Sequence, residues 1–191
     1  MKTLIFTTAA FALFSTLLIG IQGAWSDEEG RGWSENMAAM RYQSTGVAAA
    51  SDPKYQEECG SCHFAYPPGL LPAVSWHRIM TGLSDHFGDN AELDVQTTEY
   101  LRRYLDLYAA DRSQYRRSRA IMNNLRQTNM IPMRITEIPY FRHEHREIPQ
   151  RIINLPEVGS LSQCNACHQY ADRGSFSENE IWINGVGQWE D

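Results

Sequence analysis

The sequence predicts a mainly α-helical chain of two small lobes with long irregular loops, and three observations carry that expectation. Apolar residues recur at helical spacing in several segments, and no sheet pattern accompanies them. Pro and Gly punctuate those segments at short intervals, which leaves loops between them. The four cysteines fall in two close pairs, Cys59 with Cys62 and Cys164 with Cys167, one pair for each lobe. A chain of 191 residues, 42% apolar and 21% charged, suffices for one domain or two small ones. With 17 Lys plus Arg against 23 Asp plus Glu, its formal charge of -6 excludes a duplex nucleic-acid binder, which must neutralise phosphates.

Residues 1–24 have the layout of a secretory signal: Lys2, then an apolar run from Leu4 to Ile19, then small residues ahead of Trp25. Cleavage there would remove Lys2 and leave 16 basic against 23 acidic residues, a charge of -7 (16 minus 23). The alternative is an uncleaved membrane anchor, because the run approaches the roughly 17 to 25 residues of a spanning helix. Residues 25–51 are polar and Gly-containing and read as a flexible N-terminal arm.

Cys59-Gly60-Ser61-Cys62-His63 and Cys164-Asn165-Ala166-Cys167-His168 both carry the C-x-x-C-H signature of covalent haem attachment. Two thiols three positions apart on a helical turn reach the two vinyl groups of one porphyrin, and the adjoining His swings under the iron. Two haem c groups follow, with Cys59, Cys62, Cys164 and Cys167 as thioether donors and His63 and His168 as proximal ligands. The rival readings are a zinc site and a thiol redox pair. The 101 residues between the pairs exceed a zinc module's spacer, and each pair brings its own His. A redox C-x-x-C belongs in a strand and helix pattern that is missing here.

The first haem lobe spans residues 52–111. Asp52-Pro53 supplies a cap and a first-turn proline for a helix running into the first motif, and Pro67-Pro68-Gly69 stops it. A carbonyl of that proline turn is the expected acceptor for the His63 ring N–H. Tyr66, Leu70 and Leu71 are placed to cover a porphyrin edge. A helix from Trp76 to Gly88, capped by Ser75, puts Trp76, Ile79, Leu83 and His86 in one stripe. His86 is therefore the expected distal ligand, with Met80 as its rival and His77 on the surface. Asp94 caps a longer helix whose face carries Tyr100, Leu101, Tyr104, Leu105 and Tyr108.

Residues 112–119, with Arg112, Arg116, Arg117 and Arg119, read as a solvated junction between lobes, contact with an acidic partner or a propionate being the secondary reading. The second haem lobe spans residues 120–191. Pro139 opens and Pro149 closes a helix in which Ile138, Phe141, His145 and Ile148 share a face. His145 is the expected second distal ligand. His143 is its rival and projects to nearly the opposite side. Gly174 ends the segment after the second motif, and residues 176–189 fold back as a cover.

The run Cys59-Gly60-Ser61-Cys62-His63-Phe64-Ala65-Tyr66-Pro67-Pro68-Gly69-Leu70-Leu71-Pro72, then Ser75-Trp76 and His86-Phe87-Gly88, resembles the bacterial dihaem cytochrome c family. Residues 135–149 and the second motif continue the resemblance. It implies a first lobe like a class I cytochrome c, a smaller second lobe, and two low-spin haems. The proximal ligands it implies are His63 and His168; the distal ones are His86 and His145. It also implies a periplasmic electron carrier with a redox partner, either a small high-spin cytochrome c that binds oxygen or a membrane cytochrome b. Two bis-His irons leave no position for substrate, so the expected function is outer-sphere electron transfer and not catalysis. A dihaem peroxidase or reductase, or a gas-binding cytochrome, would need one open iron.

Overall fold

The structure, a computed structural model, describes residues 46–189. The expected signal and residues 25–45 of the expected arm lie outside the described residues. The helices in chain order are α1 (Pro53–Cys59), α2 (Ala73–Thr81), α3 (Val95–Tyr108), α4 (Arg116–Thr128), α5 (Pro139–Glu144) and α6 (Gln150–Ile153). Short 3-10 turns connect them. Near the C-terminal end β1 (Trp182–Ile183) pairs antiparallel with β2 (Gly187–Gln188), Trp182 opposite Gln188 and Ile183 opposite Gly187.

Several starts follow from local chemistry. The Asp52 carboxylate accepts the Tyr55 N–H at 2.8 Å with Pro53 in the first turn of α1. Asp94 accepts the N–H groups of Gln96 and Thr97 at 2.9 and 3.0 Å and opens α3. Pro139 stands in the first turn of α5. Helix α4 ends at Asn129, whose φ of +48° is the left-handed cap that Asn tolerates.

Helix α2 departs from the sequence reading at both ends. It starts at Ala73, and the cap is a side chain 38 residues on, the Asp111 carboxylate accepting the Ala73 N–H at 2.8 Å. Ser75 is buried inside the helix instead of capping it. The helix stops at Thr81 because Gly82 leaves the helical conformation, so His86 belongs to the following loop.

The larger core joins α2, α3 and α4 through Leu71, Trp76, Leu101, Leu105, Ile121, Leu125 and Ile138. Buried polar links tie the first proline turn into it: Trp76 Nε1 donates to the Pro68 carbonyl at 2.7 Å, and Ser118 Oγ donates to the Gly69 carbonyl at 2.8 Å. A smaller core holds Ile152, Val158 and Ile183. Residues 112–119 thus do not separate the two: α4 begins inside that stretch and packs on the larger core, as does Ile138.

Residues 46–50, the end of the stretch read as an arm, are packed in the interior, with Val47 and Ala50 each 2% exposed. The Val47 N–H donates to the Gly174 carbonyl at 3.0 Å, and the Gly46 carbonyl accepts the Arg117 N–H at 3.2 Å. At Gly174, where φ is +78°, a Cβ would lie 2.1 Å from the Val47 carbonyl oxygen, so the close approach demands glycine.

Candidate haem sites

The first site is built where α1 ends. Cys59 closes the helix, Gly60 and Ser61 turn, Cys62 is exposed, and His63 follows with its Nδ1–H donating to the Phe64 carbonyl at 2.8 Å. The acceptor is therefore Phe64 and not the expected proline turn, whose Pro68 carbonyl is taken by Trp76. Across a cavity of about 840 Å³ stands His86, its ring centre 6.2 Å from that of His63 and its plane inclined by 20°.

His86 is held by a tight loop. Its N–H donates to the Asp89 carbonyl at 2.7 Å, and the Gly88 N–H donates to the Asp85 carboxylate at 3.1 Å. Phe87 takes φ of +60°, an outlier for a bulky residue, and packs its ring against His86 with centres 4.9 Å apart. The Arg134 guanidinium lies 4.0 Å over the other ring, Phe87. Burial, then the neighbouring His63, holds the His86 pKa below its ordinary value.

The second site repeats the plan with different parts. Cys164 to Ala166 form a 3-10 turn, and the His168 N–H donates to the Cys164 carbonyl at 2.8 Å. Its Nδ1 is buried with no partner among the described residues, and the Phe176 ring packs edge-on at 5.3 Å. His145 caps α5, where its Nδ1–H donates to the Phe141 carbonyl at 2.8 Å and its ring stacks on Phe141 at 3.9 Å and 17°. The rings of His145 and His168 are 6.1 Å apart between centres. Burial, reinforced by His145 and Arg117, pushes the His168 pKa down to about 4.

These spacings test whether haem iron fits. A metal–imidazole bond is about 2.0 Å and the ring centre lies about 1.1 Å beyond the nitrogen, so two imidazoles on opposite sides of one metal have centres about 6.2 Å apart. Both pairs match. Burial pushes Cys59 up to about 11 and Cys164 up to about 12, the reverse of the depressed thiol of a reactive redox pair. Among the described residues no three His, Cys, Asp or Glu side chains converge as a zinc site needs.

Of the rivals, Met80 is buried and also lines the first cavity, whereas His143 is exposed on the outer face with its ring against Arg146 Nη1. The two cavities adjoin, because Ile135, Phe141, Leu161 and Cys164 line both. The Tyr66 hydroxyl, on the proximal side of the first site, donates to the Ser162 carbonyl at 2.9 Å beside the second motif. One residue escaped the sequence reading: Arg134 carries no signal beyond being a lone cation between apolar neighbours. Arg117, read first as part of a solvated junction, instead lines the second cavity at 23% exposure, and it shares the stripe of Ile121 and Leu125 at four-residue spacing.

Among the described residues no helix is long and apolar enough to cross a membrane. Comparison with curated proteins gives no match. Among solved structures, a diheme cytochrome type c from Shewanella baltica OS155 is 42% identical, with a TM-score of 0.60 over 72% of this chain and 97% of that one. A diheme cytochrome c from Rhodobacter sphaeroides is 38% identical, with a TM-score of 0.59 over 68% and 100%. The profile of the dihaem cytochrome c family matches residues 55–176, both imidazole pairs included. The chain belongs to that family, and it is a c-type electron-transfer protein with two haems.

Proposed function

We propose that the protein is an exported, periplasmic one-electron carrier in which each iron is held between two imidazoles, His63 with His86 and His145 with His168. The observation that carries this reading is the spacing of the two ring pairs, 6.2 and 6.1 Å. The bound haem iron supplies the ferric–ferrous couple. The chain's residues do the rest. The Phe64 and Phe141 carbonyls orient His63 and His145 and raise their basicity as donors, which favours the ferric state. Buried Trp76 and half-buried Tyr104 and Phe141 exclude water and favour the ferrous state. Closing both faces of each iron leaves outer-sphere transfer as the chemistry.

The adjoining cavities support electron sharing between the two haems, so a donor and an acceptor would dock at different haem edges. The partner is a small high-spin cytochrome c that binds oxygen or a membrane cytochrome b. Lys54 is the single Lys after residue 2, and it is tied to Glu57 and Glu58 at 3.5 and 2.8 Å. Recognition therefore rests on arginines and carboxylates, not on a lysine rim. Export rests on the signal layout of residues 1–24.

The test is the visible spectrum of dithionite-reduced holoprotein before and after carbon monoxide. An unchanged spectrum is expected. A shift at either haem would reveal an open iron and overturn the bis-His reading in favour of gas binding or catalysis.

A further inference from the structure

We propose that Arg117 anchors a propionate of the second haem. Its side chain lines the second cavity and is only 23% exposed. Nη1 donates to the Tyr140 hydroxyl and Nη2 to the Phe176 carbonyl, each at 3.1 Å, while Nε is buried with no partner among the described residues. An unpaired buried donor on a cation is costly, because the protein interior screens charge poorly.

The other charges around it do not settle that cost. Glu144 reaches Nη1 at 3.5 Å but is itself shared with Tyr140, and Glu178 lies elsewhere on the cavity wall. Among the described residues Arg117 is also the sole Lys or Arg on that wall. A haem attached at Cys164 and Cys167 brings two carboxylates into the same cavity. A guanidinium is the side chain whose planar donors meet a carboxylate at fixed geometry.

The placement on α4 argues the same way. The first turn of this helix carries Arg116 and Arg117, no acid, and no side-chain cap, which sets two cations against the positive end of the helix dipole. A residue that opposes local helix stability is retained where it serves elsewhere. Arg117 reaches α5 through Tyr140 and the cover of His168 through Phe176, so it joins the elements on both faces of the second haem.

This inference rests on a second haem seated between His145 and His168, and the experiment separates the two. Arg117→Gln and Arg117→Lys holoproteins are compared with wild type by potentiometry and by the propionate-bending bands of the resonance Raman spectrum. In Arg117→Gln one band moves to the frequency of a solvated propionate. The second haem is then about tenfold less reduced at the wild-type midpoint, about 59 mV for one electron, with the first haem unchanged. Arg117→Lys keeps the charge and recovers most of the shift. Unmoved bands and midpoints in an Arg117→Gln protein with two low-spin haems overturn the proposal. Should that variant not assemble, a wild-type spectrum in which every propionate band has the solvated frequency overturns it equally. A high-spin second haem in wild type would instead sink the bis-His reading.

Discussion

At the scale of the residue, the two imidazoles proposed as distal ligands are reached by different routes. His145 follows the helical logic of its sequence: four residues after Phe141, it stacks on that ring and donates to its carbonyl. His143, two positions earlier, is exposed against Arg146. Replacing His145 by Ala should therefore turn the second haem high-spin and open it to carbon monoxide, while His143→Ala leaves the reduced spectrum untouched. The reverse pattern would exchange their roles. His86 sits on a loop pinned by the His86 to Asp89 backbone pair and by the positive φ of Phe87. Its stripe with Trp76 and Ile79 points at the right cavity, although the helix ends five residues before it. Trp76 offers a stability test. Its buried indole N–H donates to Pro68 at 2.7 Å, so Trp76→Phe should cost about 1–3 kcal/mol by leaving that carbonyl unpaired. In thermal melts this is a fall of several degrees; no change would mean that water replaces the bond.

At the scale of the element, what was legible in the sequence was local. Asp52-Pro53, Asp94 and Pro139 begin their helices because each acts on the next turn of its own chain. The start of α2 was illegible because its cap, Asp111, lies 38 residues away and meets Ala73 only after α3 has folded back. The packing of residues 46–50 was hidden for the same reason, as its partners are Gly174 and Arg117. Asp111→Ala should cost about 1 kcal/mol, the usual value of a cap, while Asp111→Asn retains most of it. A melting difference of about 2–4 °C between the two variants checks this. Asp94 predicts a pH dependence. Its hydrogen bonds, those to Thr97 foremost, hold its pKa below the ordinary carboxylate value. A group depressed in the folded state stabilises above its unfolded pKa and loses that contribution as pH falls through the folded one. The wild type should thus melt above Asp94→Ala at neutral pH and converge with it in acid below that value; parallel curves would show that the charge of Asp94 is irrelevant to α3.

At the scale of the whole molecule, the two sites differ in surroundings although their proposed ligand sets match. Glu58, Asp89 and Glu92 line the first cavity against a single cation, Arg134, and Cys62 is exposed at its mouth. The second cavity sets Glu144 and Glu178 against Arg117, and its remaining wall is largely apolar, with Ile121, Ile138, Ile152 and Val158 among its residues. A ferric haem carries one more positive charge than a ferrous one, so carboxylates and water favour the oxidised state, while cations and apolar walls favour the reduced one. Ligand hydrogen bonding does not reverse this order, since one imidazole in each pair donates to a backbone carbonyl. The second haem should therefore have the higher potential and hold the electron at rest, and the first, with the open mouth, should be the port through which it enters. A titration followed by electron paramagnetic resonance decides it, the second haem's low-spin signal being the one that His145→Ala removes. That signal should vanish first as the potential is lowered. If it vanishes last, the carboxylates around the first haem do not set the order, and electrons run from the second haem to the first.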